Sequence, residues 1–143
     1  EMDLAENLVE VLRKANEFVP SEAGSILLDD PRQKRPDRRK NHLTFLAAFG
    51  ERAESLVGQT LSADRGIAGM VYQTGRAYFT AQTATDPHFD RSVDKETEYS
   101  TESLVAIPIR IGTDVCGVLE LANRRGANGS SPDERDLLEI FAG

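Results

Sequence analysis

One cysteine and two histidines among 143 residues leave little scope for disulfide or metal chemistry. Cys116 alone closes no internal disulfide, and its solitary state fits a reducing compartment, so the cytoplasm is the expected location. His42 and His88 stand far apart and belong to no Cys/His cluster with metal-ligand spacing. No run approaches the roughly 18 apolar residues of a membrane span, and the N-terminus lacks the basic-then-apolar order of a signal peptide. No glycine-rich loop has the P-loop pattern. These absences argue against an enzyme, a bound metal and a membrane contact.

What is present fits a soluble domain. Hydrophobic residues make up 39% and charged residues 29%, enough for one core in a chain of ordinary single-domain length. Acidic residues outnumber basic ones by 24 to 17, a formal charge of −7 that repels nucleic acid and anionic membranes. The cluster Arg32, Lys34, Arg35, Arg38, Arg39 and Lys40 runs against that balance. It is preceded by Pro31 and broken by Pro36, with no interleaved aromatics and no helical period, so it reads as a solvated loop.

Along the chain, Leu4, Leu8, Val11, Leu12 and Ala15 have helical spacing behind a possible Asp3 cap, and this helix ends before Pro20. Strands are expected at Gly24 to Asp29 and Leu43 to Phe49, with the basic loop between them, and a third closes at Leu61. A helix starts at Gly66 and stops at Gly75, where glycine tolerates positive φ. Tyr78 to Thr80 returns as a strand, Thr85 to Phe89 is turn chemistry, and Ser92 to Tyr99 reads as a short polar helix. Ser103 to Arg110 and Val115 to Ala122 form a hairpin about Gly112-Thr113-Asp114. Ser131-Pro132-Asp133-Glu134 starts a last helix, with Leu137, Leu138 and Phe141 as its apolar stripe.

This order implies an α+β domain. A mostly antiparallel sheet of five to six strands is flanked on one side by the terminal helices and on the other by short helices and loops around a pocket. Residues 1–19 would be the N-terminal helix, 20–131 the ligand-binding core and 132–143 the start of a linker helix.

Several residues in this frame suit a ligand. Gly66 and Gly69 bracket Ile67-Ala68 at a helix start, where close backbone approach and free N–H groups favour an anion, although glycines there also serve packing. Asp94, Thr97 and Thr101 are spaced at three and four, one polar face if the segment is helical; the plainer alternative is a solvated polar helix. Glu120 alternates to the face opposite Leu119 and Leu121. It is solvated if that face is open and needs a partner if it is covered.

From Gly24 to Glu134 the sequence resembles the GAF domain family, of the type found in cyclic-nucleotide phosphodiesterases and bacterial cyclases. The resemblance is carried by Ser25-Ile26-Leu27-Leu28-Asp29, Arg65-Gly66-Ile67-Ala68-Gly69 with Thr74-Gly75, and Asp86-Pro87-His88-Phe89 with Val93-Asp94. Leu104-Val105-Ala106-Ile107-Pro108 and Gly117-Val118-Leu119-Glu120-Leu121-Ala122-Asn123 complete it. It implies a nucleotide pocket in which Phe49 stacks on the base and Ser25 meets a polar edge on the sheet floor. Ile67, Ala68, Asp94, Thr97, Thr101 and Glu120 would surround the rest. A family signature pairing a lysine with a downstream aspartate is kept in part by Asn123, Arg124, Asp133 and Glu134. Arg124 stands for the lysine and Gly129 for the expected phenylalanine, and an Arg124 to Asp133 bridge would tie the last strand to the C-terminal helix. Gly50 stands where nucleotide-binding members often carry an aspartate.

The family's sulfoxide-reducing and bilin-carrying members depend on cysteine chemistry that Cys116, in mid-strand, does not suit. His88 reads as a loop histidine and not a haem ligand. The function implied is therefore a regulatory sensor with no required cofactor, binding a small molecule such as cAMP or cGMP and signalling to an attached output domain. The alternatives are a dimerisation module that works through the terminal helices, and a sensor of another ligand. A homodimer is expected in either case.

Overall fold

The computed structural model describes residues 4–125. The C-terminal helix expected from Pro132, with Asp133 and Glu134, lies outside the described residues.

Helix α1 spans Leu4–Phe18 and is followed by β1, Ser21–Asp29, and β2, His42–Phe49. The short helix α2, Ala53–Leu56, leads to β3, Thr60–Ser62, and then to α3, Gly66–Thr74. Strand β4 is Tyr78–Thr80, α4 is Ser92–Thr97, and β5, Leu104–Ile111, pairs with β6, Asp114–Arg124. Gly75 ends α3 with φ +70°.

All six strands form one antiparallel sheet in the order β3-β2-β1-β6-β5-β4. Period-two alternation splits its side chains between two cores. On one face Leu12, Ala15 and Val19 of the α1 region pack on Ile26, Ala47, Val105, Ile107, Leu119 and Leu121. On the other, Ile67, Val71 and Tyr72 of α3 pack on Leu27, Leu43, Phe45, Ala106 and Val118. Both faces are thus covered, and the second carries the short helices. Among the described residues no helix is long and apolar enough to cross a membrane.

A bulge in β2 changes which side chains reach the second face. Ile26 pairs with Ala47 but Leu27 pairs with Phe45, so Leu46 is left over in the register. One extra residue moves all that follow to the opposite face. Phe45 therefore points toward α3, whereas Ala47 and Phe49 point toward α1.

The basic loop is less free than its composition suggests. Lys34 forms ion pairs with Asp29, at 2.9 Å, and with Asp114 in the β5–β6 turn. Arg38 lies over the Tyr72 ring, 4.1 Å from its centroid, and donates to the carbonyls of Tyr72 and Val115. Beneath it the buried Tyr72 hydroxyl donates to Asp29 Oδ2 at 2.7 Å and accepts from Asn41 Nδ2 at 3.0 Å. Arg32, Arg35, Arg39 and Lys40 remain exposed.

Candidate functional site

Where β6, the start of α3 and the segment 89–101 converge over the sheet, they line a partly open chamber with a free volume of about 60 Å3. Phe45, Leu61 and Leu104 give it an apolar side. Its ionisable lining consists of Arg52, Arg65, Asp90, Asp94 and Glu120.

Helix α3 contributes Gly66, Ile67 and Ala68 to the wall. The first N–H bond back into the helix is made by Gly69, to the Arg65 carbonyl at 3.1 Å, so the preceding amides begin the helix without an intrahelical acceptor. The two glycines have separate reasons. Gly66 has φ +68° and lies beneath Asp90, whereas a side-chain carbon on Gly69 would come within 2.6 Å of the Ala63 carbonyl oxygen. Gly69 therefore serves packing, and Gly66 the close approach to the chamber.

The lid over the chamber is α4 with the chain that follows it. The helix stops at Thr97, because Glu98 turns into the left-handed region at φ 54°, so Thr101 is not on it. The expected helical face is thereby corrected: Asp94 and Thr101 meet through a return of the chain. Asp94 Oδ2 accepts from the Thr101 amide and Oδ1 from its hydroxyl, both at 2.8 Å. Oδ1 also receives Arg52 Nη1 at 2.7 Å. Thr97 does not join them, since its hydroxyl donates to the Val93 carbonyl one turn back, at 2.8 Å.

Glu120 stands on the floor, opposite Ser25 and Ala106 on the neighbouring strands. Its alternation is the expected one, but the face it enters is the covered one. Burial pushes its carboxyl up to about 7, with Arg52 acting to lower it and Asp94 to raise it. Ser25 is buried beside it, in a narrow cleft of about 10 Å3 shared with Arg52, Leu104 and Glu120.

Of the residues singled out in the sequence, Ile67, Ala68, Asp94, Thr101 and Glu120 line the chamber and Ser25 adjoins it. Phe49 does not: its ring fills the space above Gly24 on the α1 face, and Phe45 supplies the chamber's aromatic side chain in its place. Arg52 was not anticipated. It follows Gly50-Glu51 in what reads as a polar turn, and only the fold carries it inward. There its guanidinium lies 4.5 Å from the centroid of the Tyr99 ring, with Nε buried and without a hydrogen-bond partner among the described residues.

Asn123 ties the lid to the sheet. At φ 59° it turns the end of β6, and its carbonyl oxygen accepts from the amides of Glu102, at 2.7 Å, and Ser103, at 3.2 Å. Its amide nitrogen donates to the Ser100 carbonyl and the Tyr99 hydroxyl, both at 2.9 Å, and to Glu22 at 3.1 Å. The bridge expected between Arg124 and Asp133 falls outside the described residues.

The GAF domain family model matches residues 1–143. Over 78 residues, 54% of this chain, the sequence is 36% identical to a probable 3',5'-cyclic phosphodiesterase, pde-5, of Caenorhabditis elegans, and the match covers 11% of that protein. Over an equal length it is 32% identical to the cone cGMP-specific 3',5'-cyclic phosphodiesterase subunit alpha' of Gallus gallus, covering 9% of it. The matched stretch is thus about a tenth of either relative. Among solved structures, residues 122 to 287 of a methyl-accepting chemotaxis protein superpose with a TM-score of 0.74 at 21% identity, covering 98% of this chain and 83% of that one. A GAF domain/HD domain protein from Geobacter sulfurreducens gives 0.72 at 13% identity, covering 96% and 84%.

Proposed function

Because the chain belongs to the GAF domain family, the fold of regulatory domains in phosphodiesterases and sensors, we propose that it senses a small molecule in the chamber between sheet and lid, with cAMP or cGMP as the ligand. The observation that carries this reading is the chamber itself: a covered sheet face where one helix start, one lid carboxylate and one half-buried floor carboxyl converge. A cyclic nucleotide has an anionic phosphate suited to the open amides of α3. Its purine carries donors or acceptors for Glu120 and Thr101.

At about 60 Å3 the chamber is well below the 300 Å3 or more of ordinary ligand pockets. A nucleotide therefore enters only if α4 swings outward and then closes on it. That motion has a route to the rest of the chain. Tyr99 donates to Glu22 at 3.1 Å near the start of β1, and the Ser21 amide is held by Asn16 of α1 at 2.8 Å. Ordering the lid would thus bias α1, and through it an attached output domain in the cytoplasm.

Isothermal titration with cAMP and with cGMP, on protein refolded to remove carried-over ligand, tests the reading. Saturable micromolar binding, weakened at least tenfold in Thr101→Ala, is expected. No heat with either nucleotide would refute it.

A second reading, a dimerisation module, is favoured by one feature. Leu4, Val11 and Phe18 recur every seven residues on α1 and are 60%, 40% and 37% exposed, a stripe beside the one that packs on the sheet. Dimerisation is compatible with ligand binding.

A further inference from the structure

Three charged side chains from three elements meet in the chamber, and one cation serves two carboxylates. Arg52, just ahead of α2, holds Asp94 of α4 at 2.7 Å, with the two side chains only 12% and 11% exposed. Glu120 rises from β6 into the same space, and no hydrogen-bond donor among the described residues reaches its carboxyl. The charged groups that act on it most are Arg52, attractively, and Asp94, repulsively; Arg65 ahead of α3 and Asp90 ahead of α4 complete the chamber's ionisable lining.

We propose that Arg52 is a latch shared between lid and floor, held by Asp94 while Glu120 is protonated and contested once Glu120 ionises, so that loss of one proton opens α4. Arg52 and Glu120 act here as positioning residues, through the lid. An ionised Glu120 in the closed chamber is half-buried and meets no hydrogen-bond donor among the described residues, and it repels the carboxylate that fastens the lid. Opening completes its hydration and gives it a share of Arg52.

The direction with pH follows from proton linkage. The closed chamber raises the Glu120 carboxyl to about 7 from its ordinary 4.5, so closure binds the proton more tightly than opening does. Closure is most favoured near pH 4.5, weakens as the pH climbs from there to about 7, and is weakest above that.

The chamber is the one assigned to the ligand, but the latch is measured without any. The experiment is amide hydrogen exchange of residues 92–99 in the unliganded chain between pH 5 and 8, corrected for intrinsic exchange. The opening constant of the segment is expected to rise at least tenfold between pH 5 and pH 7.5, with amides of β1 and β6 unaffected. Glu120→Gln, close in shape, should abolish that slope. Arg52→Lys should retain it, and Arg52→Gln should leave the lid open throughout. A flat profile in the parent chain, or an unchanged slope in Glu120→Gln, would overturn the latch. If Arg52→Gln does not fold, Glu120→Gln decides alone. Absence of nucleotide binding would refute the ligand and leave the latch standing.

Discussion

Glu120 and Asn123 lie three residues apart on one strand and hold opposite positions in the energetics of the site. Glu120 is a carboxyl without a hydrogen-bond donor among the described residues, and its raised value means that folding costs more once it is ionised. Its folded value of about 7 exceeds the ordinary 4.5, so the domain loses stability as pH rises between those values, by up to about 1.4 kcal/mol per pH unit, and no further above 7. Urea melts of the parent chain and Glu120→Gln across pH 4.5 to 8 should diverge with that sign, the variant gaining relative to the parent. Asn123 is the reverse case, an amide whose oxygen and nitrogen are both fully engaged. Asn123→Gly keeps the left-handed backbone at φ 59° and deletes only the side-chain bonds. It should cost about 2 kcal/mol and speed amide exchange in residues 99–103 first.

At the scale of elements, the basic loop and the lid are both held down by buried polar groups at the ends of the sheet. The loop between β1 and β2 is strapped to α3 and to the β5–β6 turn through Asp29, Tyr72, Lys34 and Arg38. Burial and the bond to Asp29 raise the Tyr72 hydroxyl above its usual range, which keeps it a donor throughout the physiological pH range. Tyr72→Phe removes that donor while Lys34 still reaches the carboxylate. The expected loss is about 1 to 3 kcal/mol in thermal or urea unfolding, with nucleotide binding unchanged, because the strap is remote from the chamber.

Over the whole molecule, the sheet separates the chamber from the outward stripe of α1. One face carries the chamber, while the other is covered by α1, which keeps its stripe of Leu4, Val11 and Phe18 outward. Val11→Glu places a charge on that stripe without disturbing Leu12 or Ala15 beneath. Sedimentation should show a dimer in the parent chain converted to monomer, with the melting profile of the monomer preserved. A parent chain that is monomeric at every concentration would remove the second functional reading.

The sequence by itself determined most of the elements and the family, though not the short α2. Leu4, Leu8, Val11, Leu12 and Ala15 announce α1 by spacing, Gly75 marks the end of α3, and the hairpin about Gly112 reads directly from alternation, because helix and strand periods are local properties of the chain. The same locality explains why Ile67 and Ala68 were legible at a helix start and why the facing of Glu120 followed from its neighbours; that this face is covered was not legible, and only the family resemblance put Glu120 in the pocket. Phe49, Thr101 and Arg52 were decided only by tertiary structure. A single unpaired residue at Leu46 turned Phe49 away and brought in Phe45, and no local signal marks where a strand will slip against its partner. Thr101 reached Asp94 by a loop return, and Arg52, polar and in a turn, came inward because Asp94 and the Tyr99 ring offered it a charge and a π face that exist only once distant segments have packed.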